Sequence, residues 1–139
     1  MSDVTERGLK FFAEIMGDER AEQMRQGITS DGFGAAIGKL ATDYAFGAVW
    51  TRDGLERKQR SLVVIGVLIA QRQLLELKNH IRIGLTNGLT VREIEEALIQ
   101  TLPYVGFPAV ASATTAIVEV LREQGLDTTT RTAEERGML

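Results

Sequence analysis

From Leu62 to Ala70 the chain runs for nine residues without a polar side chain, and this run constrains the fold more than any other feature. It is too short to cross a bilayer, which takes about 20 apolar residues. Being apolar on every side, it must be covered on every side, by the rest of a domain or by another subunit. Its valines and isoleucines would suit a strand. Helix is the better reading, because Asp53 with Glu56 spells a D-x-x-E capping box that feeds into the run, and no partner strand shows elsewhere. The helix so opened is expected to reach about Gln73.

The remaining segments read as helices too, since only Pro103 and Pro108 interrupt the chain and nothing alternates for long. Residues 4–16 place Leu9, Phe12, Ile15 and Met16 on one side of an amphipathic helix, and 19–26 suggest a short polar one. Ile37, Leu40, Ala41, Tyr44, Ala45 and Ala48 make a further helical stripe. Residues 74–86 form the next helix, closed by Asn87-Gly88 as a left-handed C-cap. Thr90 with Glu93 is a second capping box, opening a helix to about Tyr104. Pro108 suits the first turn of a last helix, which Gly125 stops. The expectation is an all-α fold of about six helices, one domain over 1–126, with a polar tail over 127–139, mobile or laid over a neighbour. Small residues on the last helix (Ala109, Ala111, Ala113, Ala116) permit close helix approach and, with the apolar run, favour an oligomer.

At 139 residues and 44% hydrophobic, the chain can bury a real core. Its net charge of −3, with bases scattered among acids, provides no field to hold nucleic acid. The N-terminus lacks a basic stretch followed by an apolar core, so no signal peptide is expected and the cytoplasm is the expected compartment. Having no cysteine rules out disulfides, zinc–thiolate sites and thiol redox catalysis. One histidine and no H-x-x-x-H spacing argue against a metal site, and no glycine-rich loop follows a strand to hold a nucleotide.

Within these bounds the candidate chemistry gathers around His80. Glu76 lies four residues earlier, so on a helix the two side chains share a face, and a carboxylate can hold an imidazole in one tautomer for acid–base work. The plainer alternative is a solvated surface pair contributing a few tenths of a kcal/mol. Arg60 beside Ser61, just before the apolar run, can bind a carboxylate, or can simply solvate the first turns together with Arg57 and Lys58. Trp50, with Tyr44 and Phe46, either lines a pocket or belongs to the core. The stretch Tyr104-Val105-Gly106-Phe107-Pro108-Ala109 is a helix–helix corner whose glycine permits close backbone approach.

Taken in order, Arg60-Ser61-Leu62, Glu76-x-x-x-His80, Asn87-Gly88-Leu89-Thr90 and Tyr104 to Ala109 resemble the carboxymuconolactone decarboxylase family, over roughly residues 33–125. The resemblance implies an alkylhydroperoxidase D-like helical fold and ring-shaped homo-oligomers, hexamers or trimers. The family's thiol peroxidase branch carries a C-x-x-C pair whose positions fall here on Gln73 and Glu76, and a glutamate whose position falls on Ser61. This chain is therefore similar to the other branch, which converts 4-carboxymuconolactone to an enol-lactone in protocatechuate breakdown without a cofactor. The implied roles are His80 as proton donor or oxyanion partner, Glu76 as its orienting group, and Arg60 with Ser61 as carboxylate anchor. Arg52 is a candidate second anchor, and Trp50 and Phe107 are candidate apolar walls around the leaving carboxylate. A related lyase or isomerase on another small organic acid, or a non-enzymatic helical module, are the alternatives.

Overall fold

The structure, a computed structural model, describes residues 1–138. Among them are seven α-helices and no strand: α1 (Asp3–Met16), α2 (Asp18–Thr29), α3 (Ala35–Leu40), α4 (Arg57–Gln71), α5 (Leu74–Thr86), α6 (Val91–Val105) and α7 (Phe107–Glu123). Among the described residues no helix is long and apolar enough to cross a membrane. The chain divides into two compact units, Met1–Arg57 and Lys58–Leu139.

In the first unit α1 starts at Ser2, whose hydroxyl accepts from the Thr5 amide. Leu9, Phe11 and Ile15 are its buried face. The predicted stripe over 37–48 does not form one regular helix. After α3 the backbone widens into a π-helix, Ala41–Val49, ending with the Trp50 amide bonded five residues back to the Ala45 carbonyl at 2.9 Å. The widening coincides with very close packing, because Gly8 of α1 rests directly on the Thr42 carbonyl. Thr5 is fully buried there and donates to Asp43 at 2.6 Å.

In the second unit Ile65 and Ile69 of α4, Leu77 and Ile81 of α5, Ile94 and Leu98 of α6, and Ala113, Ile117 and Val120 of α7 form one core. One expectation about α4 fails: the helix begins at Arg57, not at Asp53. Asp53-Gly54 is a turn pair, and the chain uses it as a turn rather than as a cap. Within the single chain the apolar run is covered on one side: Ser61, Ile65 and Ile69 are buried one helical turn apart, whereas Val63 and Val67 are exposed, which leaves that side to the other covering expected of it, a second subunit.

The α5–α6 junction follows the sequence signals closely. Gly88 takes the left-handed conformation (φ 100°), and its amide and that of Leu89 return to Leu85 and Gly84. Thr90 and Glu93 form the reciprocal capping box. Along its other flank α5 is tied to α7 by the ion pairs Lys78–Glu119 and Arg82–Glu123. The polar segment after Asp127 is held against its own unit, since Arg122 donates to the Thr130 carbonyl and pairs with Glu135. The Arg122 guanidinium, with the Thr132 amide, pulls the Glu135 carboxyl down to about 2.

Candidate active site

His80 sits in the middle of α5, its ring half-buried and its Nδ1 withdrawn from solvent. Burial pushes its pKa below the ordinary 6.5, and the negative charge of Glu76, one turn earlier and exposed, works against that shift. Desolvation is the larger effect, so the site favours the neutral form of the ring. A neutral imidazole carries one N–H and one lone pair, and can donate to a developing oxyanion or pass a proton.

Arg60 and Ser61 lie on the second turn of α4. The Arg60 Nε is buried, and Ser61 has no surface open to solvent. Ser61 Oγ accepts a hydrogen bond from Asn87 Nδ2 at 3.0 Å. The α4–α5 hairpin thus brings Arg60 and Ser61 to the C-terminal end of α5, while Glu76 and His80 lie further back along the helix. Asn87 follows His80 by seven positions, which is about 10 Å along a helix axis. Glu76 and His80 thus lie on α5, and Arg60 on the α4 turn that Asn87 joins through Ser61.

Phe107 opens α7 directly after Gly106 (φ 89°), and that turn leaves its ring 75% exposed, with Tyr104 similarly outside. Trp50 and Arg52 belong to the first unit. There Trp50 stacks on Phe11 with ring centroids 5.5 Å apart, and Arg57 lies over the other ring of that pair at 4.7 Å. Arg52 is exposed, in the turn that follows Trp50. A cavity of about 390 Å3 between α4 and α6, lined by Leu62, Gly66, Glu93, Glu96, Ala97, Gln100 and Thr101, includes none of the expected site residues.

Asn87 is the residue of this neighbourhood that sequence reasoning took for a cap alone. One signal was available: Gly88 already supplies the left-handed step, which leaves the asparagine side chain free for other work.

Comparison with known proteins adds to this geometry. The profile described as the carboxymuconolactone decarboxylase family matches residues 35–119. The chain is 38% identical over 108 residues to nitrosuccinic acid decarboxylase npaB of Metarhizium robertsii, covering 78% of this chain and 74% of that protein. It is 32% identical over 120 residues to 4-carboxymuconolactone decarboxylase of Acinetobacter baylyi, covering 86% and 88% respectively. It is also 36% identical over 81 residues to an uncharacterized 15.0 kDa protein of Paracoccus denitrificans, covering 57% and 60%.

Proposed function

The chain belongs to the carboxymuconolactone decarboxylase family, and from that premise we propose that it is a cofactor-independent carbon–carbon lyase that decarboxylates 4-carboxymuconolactone or a similar small carboxylated lactone. The observation that supports the reading is the half-buried His80 with Glu76 one turn behind it on α5, in the same unit as Arg60 on α4. In such a substrate the bond from ring carbon to carboxylate breaks and carbon dioxide leaves. The electron pair passes through the unsaturated lactone onto its carbonyl oxygen, and a proton is then added to carbon. His80 N–H stabilises the oxyanion as it forms, or supplies that proton. Arg60 holds the carboxylate that stays behind, in the two-pronged manner a guanidinium allows. Arrival of a dianion counters the burial of the ring and favours its protonated form, so the proton needed by carbon can be taken up with the substrate.

A second reading has its own support in the relative named for nitrosuccinic acid. That compound also carries two carboxylates, and one of them sits on a carbon bearing an electron-accepting group, here nitro. The residues asked for are the same. Purified protein mixed with each acid in turn, without added cofactor, is expected to release carbon dioxide from at least one. Silence with both would remove the decarboxylase reading.

The proposal includes self-association. Phe33, Ile37, Leu40 and Tyr44 recur at helical spacing and all stand in solvent in the single chain. Val63 and Val67 do the same on α4. Monomers rarely leave apolar stripes of this kind open, and a second copy of the chain is the occupant proposed. Sedimentation should give a multiple of 15.3 kDa, and Ile37→Glu with Tyr44→Glu should reduce that multiple. A wild-type protein sedimenting as a monomer would end this part of the proposal.

A further inference from the structure

Ser61 and Asn87 lie 26 residues apart in the chain and meet through one side-chain hydrogen bond, Asn87 Nδ2 donating to Ser61 Oγ at 3.0 Å. Ser61 is fully buried, and a buried hydroxyl needs such a partner. Asn87 itself has φ −78° and ψ 0°, angles any residue adopts, so the end of α5 does not require asparagine there. What the asparagine provides is its reach to α4.

The first turn of α4, Arg57 to Arg60, is where backbone N–H groups have no partner within the helix and where helices fray. Side-chain links within the second unit help to hold this end. Lys58 pairs with Glu93 at 2.9 Å on the surface, a contact that salt screens. Asn87 grips Ser61 from inside, where salt has little effect. Ser61 is the immediate neighbour of Arg60, so the inner link acts on the backbone from which the guanidinium stem starts.

α5 then works as a ruler. His80 and Asn87 share a face of that helix, about 10 Å apart along its axis. The first stands at the proposed reacting centre, and the second holds the residue beside the proposed anchor. We propose that Asn87 is a positioning residue: through Ser61 it fixes Arg60 at a set distance from His80, and thereby selects for the separation between the two carboxylates of a small dicarboxylic substrate. Arg60 makes the contact, and Ser61 and Asn87 stand behind it. This inference rests on the decarboxylase reading above.

The test uses full-length Asn87→Ala, Ser61→Ala and the double variant, assayed on 4-carboxymuconolactone and nitrosuccinate. Each single change should raise KM about tenfold with kcat held within about twofold, and the double variant should be no worse than either single one. The increase should persist in high salt. Asn87→Ser, polar but too short to reach α4, must raise KM likewise, and it serves should the alanine variant fold poorly by circular dichroism. Unchanged KM in the Asn87 variants, single effects that multiply in the double variant, or a loss confined to kcat would each overturn the inference while wild-type turnover stands. Wild-type protein that turns over neither acid overturns the decarboxylase reading, and this inference with it.

Discussion

His80→Ala is expected to lower kcat/KM for the decarboxylated acid at least about 100-fold, or about 2.7 kcal/mol of transition-state stabilisation. Loss of one oxyanion partner alone accounts for an effect of about that size. His80→Gln separates the two roles left open for the ring. A glutamine amide can donate a hydrogen bond but cannot release a proton, so recovery of about tenfold over alanine would favour oxyanion stabilisation. No recovery would favour proton donation. Activity equal to wild type in both variants would take His80 out of the mechanism.

The same glutamine variant carries a pH signature. Burial, opposed by Glu76, sets the folded-state pKa of His80 below the ordinary 6.5. Between the two values the unfolded chain binds more protons than the folded one, so stability falls as pH drops through that window. Once both states are protonated the loss is complete and pH no longer matters for this group. Glutamine does not titrate, and thermal melts of His80→Gln from pH 7 downward should show a shallower decline than wild type. An identical decline would mean that the ring is not desolvated in the folded protein.

What could be read from sequence divides by range along the chain. The α5–α6 junction was legible because its signals are local: Gly88 for the left-handed step, and Thr90 and Glu93 within one turn of each other. The Glu76–His80 pair was legible for the same reason, since helical spacing alone puts both on one face. Asp53 and Glu56 carry the same local pattern and misled, because Asp-Gly satisfies a turn as readily as a helix cap. Which side of α4 meets the core of its own unit, and which leaves Val63 and Val67 exposed in the single chain, depends on the facing helices and is not written in a uniformly apolar run. The Asn87–Ser61 bond spans 26 residues, and nothing in either local sequence announces it. The π-helical widening over Ala41–Val49 is likewise a product of what packs on it.

That packing supports the second large effect. Gly8 lies inside α1, where alanine would ordinarily be the better helix former by up to about 1 kcal/mol. A Cβ at Gly8, however, would come within 2.1 Å of the Thr42 carbonyl oxygen and 3.1 Å of the Gly47 amide nitrogen. Gly47 meets α1 in the same way, with a Cβ there reaching 2.4 Å from the Val4 carbonyl oxygen. The opposing atoms are backbone on both sides and have no rotamer by which to move aside, so α1 and the π-helix would have to separate. Overpacking of this kind costs about 1–3 kcal/mol and at times more, which exceeds the propensity gain. Gly8→Ala should therefore destabilise by about 2 kcal/mol net and lower the melting temperature by several degrees. Gly27 in α2 supplies the opposite sign, since a Cβ there meets nothing within 4 Å. Gly27→Ala should leave stability unchanged or raise it by up to about 1 kcal/mol. If Gly8→Ala melted at or above wild type while Gly27→Ala also rose, helix propensity alone would be acting, and the close approach of α1 to the π-helix would not exist in solution.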